Sequence, residues 1–192
     1  MPVNRPTFSI VTAVYNVEAY LPDFVGSIEA QTFGSSGIEV VAVDDGSTDG
    51  SLALLEAWRA RRPELVRIVT QTNAGQGAAR NAGLSAATGT WVTFTDPDDM
   101  LDPAFFAVAD AFARANPAIK VMGSKPLILD EAIGKVRDGH PRRGQYAAGN
   151  RVVDLRRFPV VFTGSSTVSL YRLDEIRRQG LAFDGRIRPT FE

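Results

Sequence analysis

Three aspartates within four positions are the part of this sequence best suited to do chemistry. They are Asp96, Asp98 and Asp99, and they follow the apolar and β-branched residues 91–95. Pro97, which lies among them, fixes its own φ and restricts the backbone of Asp96, so the turn is stiff. Carboxylates this close repel one another, and Mg²⁺ or Mn²⁺ relieves that repulsion while also binding substrate phosphates. The turn therefore indicates a cation site, with a solvated turn and helix cap as the alternative.

The hydrophobic pattern predicts the elements that must position this acidic turn. Nearly continuous apolar stretches, typical of strands inside a parallel sheet, occupy residues 8–14, 38–43, 65–70 and 91–95. Segments with a helical pattern separate them at residues 18–31, 48–62 and 78–87. This alternation predicts an α/β fold, with a mostly parallel, Rossmann-like sheet and helices on both faces.

Polar residues follow the ends of several predicted strands. Tyr15 follows the first strand, Asp44 and Asp45 follow the second, and Asn73 follows the third. In an open α/β sheet, ligands bind beyond the carboxyl ends of the strands. We therefore expect these residues to converge with the acidic turn on one crevice.

The second half of the chain carries weaker signals. A helix is expected to run to about residue 115, with Pro103 in its first turn and Phe105, Phe106, Val108 and Phe112 on its core face. The other predicted elements are strands at residues 119–122, 126–129 and 168–173, a loop or hairpin at 131–150, a helical turn at 154–158, and a helix at 174–179 ending at Gly180.

Composition excludes several classes of protein. The 192 residues suit one domain, and the net charge of −1 argues against a nucleic-acid partner. The absence of cysteine excludes disulfides, thiolate metal sites and cysteine nucleophiles. No apolar run approaches the roughly 18 residues of a membrane span, and no signal-peptide pattern opens the chain. We expect a cytoplasmic protein. The sequence leaves open whether it also makes peripheral contact with the inner face of the membrane.

That membrane contact depends on the basic residues of the second half. These residues are Arg142, Arg143, Arg151, Arg156 and Arg157. They face either an anionic acceptor or membrane surface, or they face solvent as part of an ordinary polar loop. The single histidine, His140, precedes them, and a lone loop histidine is more often solvated than catalytic.

Two further motifs have competing interpretations. The spacing from Asp45 to Glu56 fits a calcium-binding loop, but the preceding residues form a strand rather than a helix, so we interpret Ser47, Thr48 and Asp49 as turn and helix-cap residues.

The second motif is a glycine-bearing turn at residues 75–77, which suits phosphate binding through backbone N–H groups at a helix start. Arg80 after it is suited either to a diphosphate or to an ion pair with an acid. Similarly, Asp44 is suited either to a nucleoside or to anchoring a helix.

Taken together, four motifs resemble the inverting glycosyltransferases of family 2, which have the GT-A fold. The motifs are VTAVYN at residues 11–16, VDDGSTD at 43–49, NAGQGAARNAG at 73–83 and FTDPDD at 94–99. The likeness extends from residue 8 to about residue 112. The later stretch FDGRIRPTFE, at residues 183–192, resembles the glycosyltransferase part of actinobacterial teichoic-acid-type proteins, in which a glycerophosphotransferase domain often follows.

The resemblance implies a role for each residue of the donor side. Ala13 and Tyr15 would line a uridine pocket, with Tyr15 stacked on the base, and Asp44 would hydrogen-bond the base. Asn73 and Arg80 would help to hold the nucleotide.

For the acidic turn, the resemblance implies contacts with sugar and metal. Asp96 would reach the ribose or the sugar, Asp98 would bind Mn²⁺ or Mg²⁺ bridging the diphosphate, and Asp99 would orient the donor sugar or the loop. The catalytic base of the family usually lies in a late Glu-Asp pair. Glu192 matches the start of that pair, and it is the only candidate base in this sequence.

We therefore expect residues 1–192 to form one GT-A domain, truncated at its carboxyl end. Residues 1–115 would bind the nucleotide sugar and residues 116–192 the acceptor, which would be a glycan, a polyol-phosphate or a lipid-linked molecule. The expected role is synthesis of cell-wall or surface polysaccharide from a UDP-sugar. A non-catalytic nucleotide-binding module of a larger polymerase and a metal-dependent nucleotidyltransferase remain the alternatives.

Overall fold

A computed structural model of the chain describes residues 6–125, 127–130, 134–137, 152 and 169–185. Its helices and strands are β1 (Phe8–Val14), α1 (Leu21–Glu29), a 3₁₀ turn (Ser35–Gly37), β2 (Ile38–Asp44), α2 (Ser51–Arg61), β3 (Val66–Thr70), α3 (Gln76–Ala86), β4 (Trp91–Phe94), α4 (Phe105–Ala115), β5 (Val121–Gly123), β6 (Ile128–Asp130), β7 (Lys135–Arg137), β8 (Ser169–Arg172) and α5 (Leu173–Gln179).

The described strands form a six-stranded sheet in the order β3-β2-β1-β4-β8-β5. β1 pairs in parallel with β2 and β4, and β2 pairs in parallel with β3. β8 runs antiparallel to its neighbours β4 and β5. The mostly parallel sheet predicted from the alternation of strands and helices is therefore confirmed.

Helices cover both faces of this sheet, because successive side chains of each buried strand enter opposite apolar clusters. One face packs against α1, α2 and α4 through side chains that include Phe24, Trp58 and Phe106. The other face packs against α3 and α5 through Leu84 and Ile176. The predicted three-layer arrangement is confirmed as well.

The small residues of α3 bring this helix unusually close to the sheet. A Cβ atom added to Gly83 would lie 2.4 Å from Cγ1 of Val11 and 3.2 Å from Cγ2 of Val43. Ala79, one turn earlier, is completely buried. Glycine and alanine on this face therefore set the distance between α3 and strands β1 and β2.

The first helix is shorter than predicted at its amino end. It begins at Leu21 rather than near residue 18, with Pro22 in its first turn. The backbone N–H of Val17 donates to Ser51 Oγ over 3.0 Å, and that of Glu18 donates to Asp49 Oδ2 over 3.1 Å. Residues 17 and 18 are thereby tied to the first residue of α2 and to the turn before it, and α1 begins after them.

The predicted cap of α2 is wrong. Gly50 is the N-cap residue, so neither Thr48 nor Asp49 occupies that position. Asp49 nevertheless accepts a hydrogen bond from the N–H of Ser51 over 3.0 Å. Hydrogen bonds, chiefly from the side chain of Ser51 and also from backbone N–H groups, lower the pKa of the Asp49 carboxyl group. Its other carboxylate oxygen is used by the β1–α1 loop.

The fourth helix also departs from its predicted details. It begins at Phe105 with Ala104 as N-cap, so Pro103 precedes the helix instead of lying in its first turn. Val108 is 56% exposed, and Ala109 contributes to the core in its place.

The remaining predictions for the second half are confirmed where the structure describes them. β6 and β7 pair as an antiparallel hairpin, and β8 lies within the predicted strand. α5 ends at Gly180, whose φ of 63° lies in the left-handed region that glycine favours. The helical turn predicted at 154–158 and most of the segment 131–150 lie outside the described residues.

Candidate functional site

The parallel register places the carboxyl ends of the first strands along one edge of the sheet. Val14 lies beside Asp44, and Asp44 lies beside Thr70, so β1, β2 and β3 end together. β4 runs in the same direction beside β1 and leads to the acidic turn. The predicted convergence on one edge is therefore present in the topology.

The acidic turn brings its three carboxylates together. Asp96, Asp98 and Asp99 can each offer one oxygen, and these oxygens all lie within 4.8 Å of one another. The N–H of Asp99 donates to the carbonyl oxygen of Asp96 over 3.0 Å, which closes the turn. Asp96 is half-buried, whereas the other two are exposed. Oxygen donors at this spacing are chemically suited to a hard divalent cation such as Mg²⁺ or Mn²⁺.

Asp96 is also bound by two side chains of α3. Arg80 Nη2 lies 2.6 Å from Asp96 Oδ1, and Gln76 Nε2 lies 3.2 Å from the same oxygen. The side chain of Arg80 is only 12% exposed and that of Asp96 is 28% exposed. The ion-pair interpretation of Arg80 therefore describes this structure, and its acidic partner belongs to the acidic turn itself.

Gln76 is a site residue that was missed from the sequence. It lies four positions before Arg80, so both side chains lie on the same face of α3. That spacing was the available signal, but it becomes informative only once the partner of Arg80 is known.

Asp45, which the sequence placed in the crevice without a role, anchors the loop between β3 and α3. Its Oδ1 accepts hydrogen bonds from Gln71 Nε2 over 2.7 Å and from the N–H of Ala74 over 2.9 Å. Its Oδ2 accepts one from the N–H of Gly75 over 2.8 Å. Because Asp45 already uses the Gly75 N–H, this group is not available to a phosphate, contrary to the expectation for the glycine-bearing turn.

Asp44 and Asn73 lie near this anchor. Asp44 is 3% exposed and accepts a hydrogen bond from the N–H of Ser47 over 3.3 Å, a contact within the turn that precedes α2. Gly46 has a φ of 78°, and a Cβ added to it would lie 3.1 Å from the backbone nitrogen of Asn73. The side chain of Asn73 is exposed.

A second set of hydrogen bonds joins the β1–α1 loop to the β2–α2 loop. Asn16 Oδ1 accepts from the N–H of Thr48 over 2.8 Å, and the N–H of Asn16 donates to Ser47 Oγ over 3.2 Å. Glu18 Oε2 accepts from the N–H of Gly50 over 2.8 Å. Among the described residues, Asn16 is the only non-glycine residue with a positive φ, at 54°. This bracing holds Tyr15, which is 48% exposed, at the edge of the site.

The same contacts argue against the calcium-loop alternative. The segment from Asp45 follows strand β2 and not a helix. The side chain of Ser47 binds the neighbouring loop and that of Asp49 binds backbone groups, as described above.

Several predicted residues are not brought into this group. Ala13 is half-buried near the end of β1, and no contact of its side chain with the acidic turn is described. Glu192, His140 and the five arginines of the second half lie outside the described residues. Within the part of the chain that the structure describes, no helix has the length and apolarity that crossing a bilayer requires.

Comparison with known proteins gives a consistent result. The family model described as glycosyl transferase family 2 matches residues 9–178. The minor teichoic acid biosynthesis protein GgaB of Bacillus subtilis is 29% identical over 153 residues, which are 79% of this chain and 16% of that protein. The poly(ribitol-phosphate) β-N-acetylglucosaminyltransferase TarS of Staphylococcus aureus is 35% identical over 105 residues, or 55% of this chain and 18% of TarS.

Solved structures agree with these relatives. A crystal structure of residues 1–349 of S. aureus TarS matches with a TM-score of 0.76 at 27% identity, covering 96% of this chain and 52% of that one. The structure of the same fragment in complex with UDP-GlcNAc matches with a TM-score of 0.68 at 26% identity, covering 93% and 48%.

A mannosyltransferase of Pyrobaculum calidifontis, solved with GDP-mannose and Mn²⁺, shares the fold with a TM-score of 0.67 at 22% identity, covering 97% and 50%. These neighbours are glycosyltransferases, and the fold is GT-A. The chain spans about half of the length of these structures and less than a fifth of the two curated relatives.

Proposed function

The chain belongs to glycosyl transferase family 2, and from this premise we propose that it transfers a sugar from a nucleoside-diphosphate donor to an acceptor hydroxyl with inversion. One observation carries the proposal. Three carboxylates that can share a cation stand beside a guanidinium, at the carboxyl edge of a mostly parallel sheet. Cations at that edge are suited to a diphosphate. We take the donor to be a UDP-sugar, because the similar fragment of TarS was solved with UDP-GlcNAc.

A divalent cation fits the acidic turn on the chemistry of its donors. We assign Asp98 as its ligand, with Asp96 and Asp99 close enough to share or orient it. When bound, Mg²⁺ or Mn²⁺ would neutralise charge that develops on the departing nucleoside diphosphate. Asp99 would also orient the donor sugar, and Asp96 would contact the ribose or the sugar.

Arg80 would supply a permanent positive charge next to that cation. Its guanidinium is held at 2.6 Å from Asp96, so it is directed at the acidic turn before any ligand arrives. An arginine that is already ordered loses less conformational freedom when it binds phosphate. We therefore assign Arg80 and the exposed Asn73 to the nucleotide diphosphate.

The nucleoside would lie nearer the braced loops. Tyr15 has an exposed ring for stacking, Asp44 would accept a hydrogen bond from the base, and Ala13 would line the pocket. The contacts between Asn16 and the β2–α2 loop keep this part of the site preorganised.

Inversion requires a base that removes the proton of the acceptor hydroxyl while its oxygen attacks the anomeric carbon from the opposite side. We propose Glu192 as that base in this sequence. Residues 1–115 would bind the donor and residues 116–192 the acceptor. We further propose a glycan, polyol-phosphate or lipid-linked acceptor in cell-wall synthesis, at the cytoplasmic face of the membrane. The polyol-phosphate acceptor follows the activity named for TarS, and the biosynthetic role follows the teichoic acid biosynthesis named for GgaB.

Calorimetric titration of nucleoside diphosphates tests the proposal. UDP should bind wild-type protein more tightly than CDP or GDP, and only when Mn²⁺ or Mg²⁺ is present. Asp98→Ala should abolish that binding, whereas Glu64→Gln, which removes an exposed carboxylate far from the acidic turn, should retain it.

Failure of folded wild-type protein to bind any nucleoside diphosphate would contradict the proposal. Incubation with donor and acceptor separates the alternatives. A glycosyltransferase releases UDP, a nucleotidyltransferase releases pyrophosphate from a nucleoside triphosphate, and a non-catalytic module binds UDP without turnover.

A further inference from the structure

One side chain of α3 ties the distant residue Phe183 to the site. Asn81 Nδ2 donates a hydrogen bond to the carbonyl oxygen of Phe183, and the N–H of Phe183 donates to Asn81 Oδ1, each over 2.9 Å. A primary amide can donate and accept at once, so a single asparagine satisfies both backbone groups of one residue. Phe183 is thereby fixed in position as it would be by a neighbouring strand.

The ring of Phe183 contacts both Phe94, at the end of β4, and Arg80. Its centroid is 4.7 Å from that of Phe94, with the two ring planes at 79°. The Cζ atom of Arg80 lies 5.3 Å from the same centroid, within the range of a cation–π contact. The half-buried ring therefore covers a guanidinium whose other contact is Asp96.

A glycine on α3 permits this close approach. A Cβ added to Gly77 would lie 3.3 Å from the carbonyl oxygen of Asp184 and 3.6 Å from the Cβ of Phe183. Residues 183–185 thus pack directly on the first turn of α3, where Gln76 also reaches Asp96.

We propose that Asn81 is a positioning residue, which holds the Phe183 ring over Arg80 and so keeps the guanidinium directed at the donor diphosphate. This inference rests on the proposed function. Without the clamp, the ring is free to leave Arg80, and the long arginine side chain gains conformations that must be lost again on binding. Asn81 contacts no donor group in this account and acts only through Phe183 and Arg80.

The test compares Asn81→Ala with Ser85→Ala, which removes an exposed hydroxyl from the same helix. Hydrogen exchange without ligand measures the clamp, and NMR titrations of UDP with Mg²⁺ and of uridine measure its consequence. In Asn81→Ala, the Phe183 amide should exchange about tenfold faster and UDP affinity should fall about tenfold, since two hydrogen bonds are lost. Uridine affinity should not change, because uridine has no phosphate.

Ser85→Ala should match wild type in every measurement. Phe183→Leu keeps an apolar contact with Phe94 but removes the aromatic ring over Arg80, so it should show the same selective loss of UDP affinity. Unchanged exchange at Phe183, unchanged UDP affinity, or equal losses for UDP and uridine would each overturn the inference while leaving the proposed function intact. Wild-type protein that binds no UDP would contradict the proposed function. If the Phe183 amide of Asn81→Ala still exchanged faster than that of such a wild-type protein, the clamp would exist but its positioning role would be overturned as well.

Discussion

Carboxylates stand at both edges of the parallel sheet, and their surroundings differ. At the amino edge, Glu39 Oε1 accepts hydrogen bonds from Ser9 Oγ over 2.5 Å and from the N–H of Gly89 over 3.1 Å. The hydroxyl of Thr88 lies 3.0 Å from each carboxylate oxygen of Glu39. At the carboxyl edge, the side chain of Asp98 is exposed within a group that can bind a cation.

The comparison teaches how to separate structural acids from acids that serve a ligand. An acid whose oxygens accept from several backbone N–H groups stabilises the fold, because removing it leaves buried donors without partners. By this criterion Glu39, which accepts from the N–H groups of both Thr88 and Gly89, is structural. Asp45 is structural too, although it lies at the edge that carries the site. The partners of a carboxylate therefore indicate its role better than its position at one edge or the other.

The largest expected effect is on stability at the amino edge. Glu39→Ala should lower the free energy of unfolding by about 3 kcal/mol, because it leaves the buried N–H of Gly89 and the hydroxyl of Ser9 with fewer partners. Urea denaturation followed by circular dichroism measures the change, with Glu56→Gln as a control on the exposed surface of α2. Metal-dependent UDP affinity of the folded variant should be unchanged. If Glu39→Ala were as stable as wild type, the distinction between structural acids and acids that serve a ligand would fail.

Asp45→Ala is expected to have the next largest effect, and it should lower both the free energy of unfolding and the affinity for UDP. Loss of its contacts with Gln71, Ala74 and Gly75 should cost about 2 kcal/mol of stability and loosen the loop before α3. Because Asn73 lies in that loop, UDP affinity should fall as well. Denaturation and calorimetry on the same preparation check this, and a loss of affinity without any loss of stability would place Asp45 among the ligand-binding acids.

Gln76→Ala should affect binding rather than stability. It removes one neutral donor to Asp96 at 3.2 Å while the Arg80 contact remains, so UDP affinity should fall about threefold. The denaturation midpoint should match that of wild type. Gln76→Glu sharpens the test, because a fourth carboxylate, placed on α3 beside the acidic turn, should strengthen the binding of Mn²⁺ alone. Weaker Mn²⁺ binding by Gln76→Glu would contradict the account.

The smallest expected effect is a pH dependence from exposed ion pairs. The hydrogen bond from Arg172 lowers the pKa of Asp174 below its ordinary value of 3.8. A lowered carboxyl pKa contributes stability that is present above the ordinary value and is lost as pH falls through the lowered one. Wild type should therefore lose slightly more stability than Asp174→Asn when the pH falls from about 5 to about 3. Parallel urea midpoints across that range would contradict this assignment.

Much of the fold was predictable because it depends on local patterns. The continuous apolar stretches and the residues after them predicted β1 to β4 and the edge on which Tyr15, Asp44 and the acidic turn lie. The start of α1 was not predictable from the local pattern, because residues 17 and 18 are bound by Ser51 and Asp49, more than thirty positions away.

The candidate site shows the same contrast between local motifs, which were predictable, and long-range contacts, which were not. The acidic turn is a contiguous motif and was visible in the sequence. The roles of Asp45, Gln76 and Asn81 depend on which donors the fold brings to them, so residue type alone did not predict those roles. The roles of Asp98, Asp99, Arg80 and Glu192 in catalysis or binding stay predictions.

The most direct test of the central claim locates a bound cation. In amide NMR spectra of wild-type protein with UDP, substoichiometric Mn²⁺ broadens signals of nuclei close to it. We predict broadening at Asp96, Asp98 and Asp99 and at Gln76 and Arg80, with Thr88 and Gly89 at the opposite edge unaffected, and loss of this pattern in Asp98→Ala. Broadening centred elsewhere, or none while UDP is bound, would contradict a metal-assisted donor site at the acidic turn.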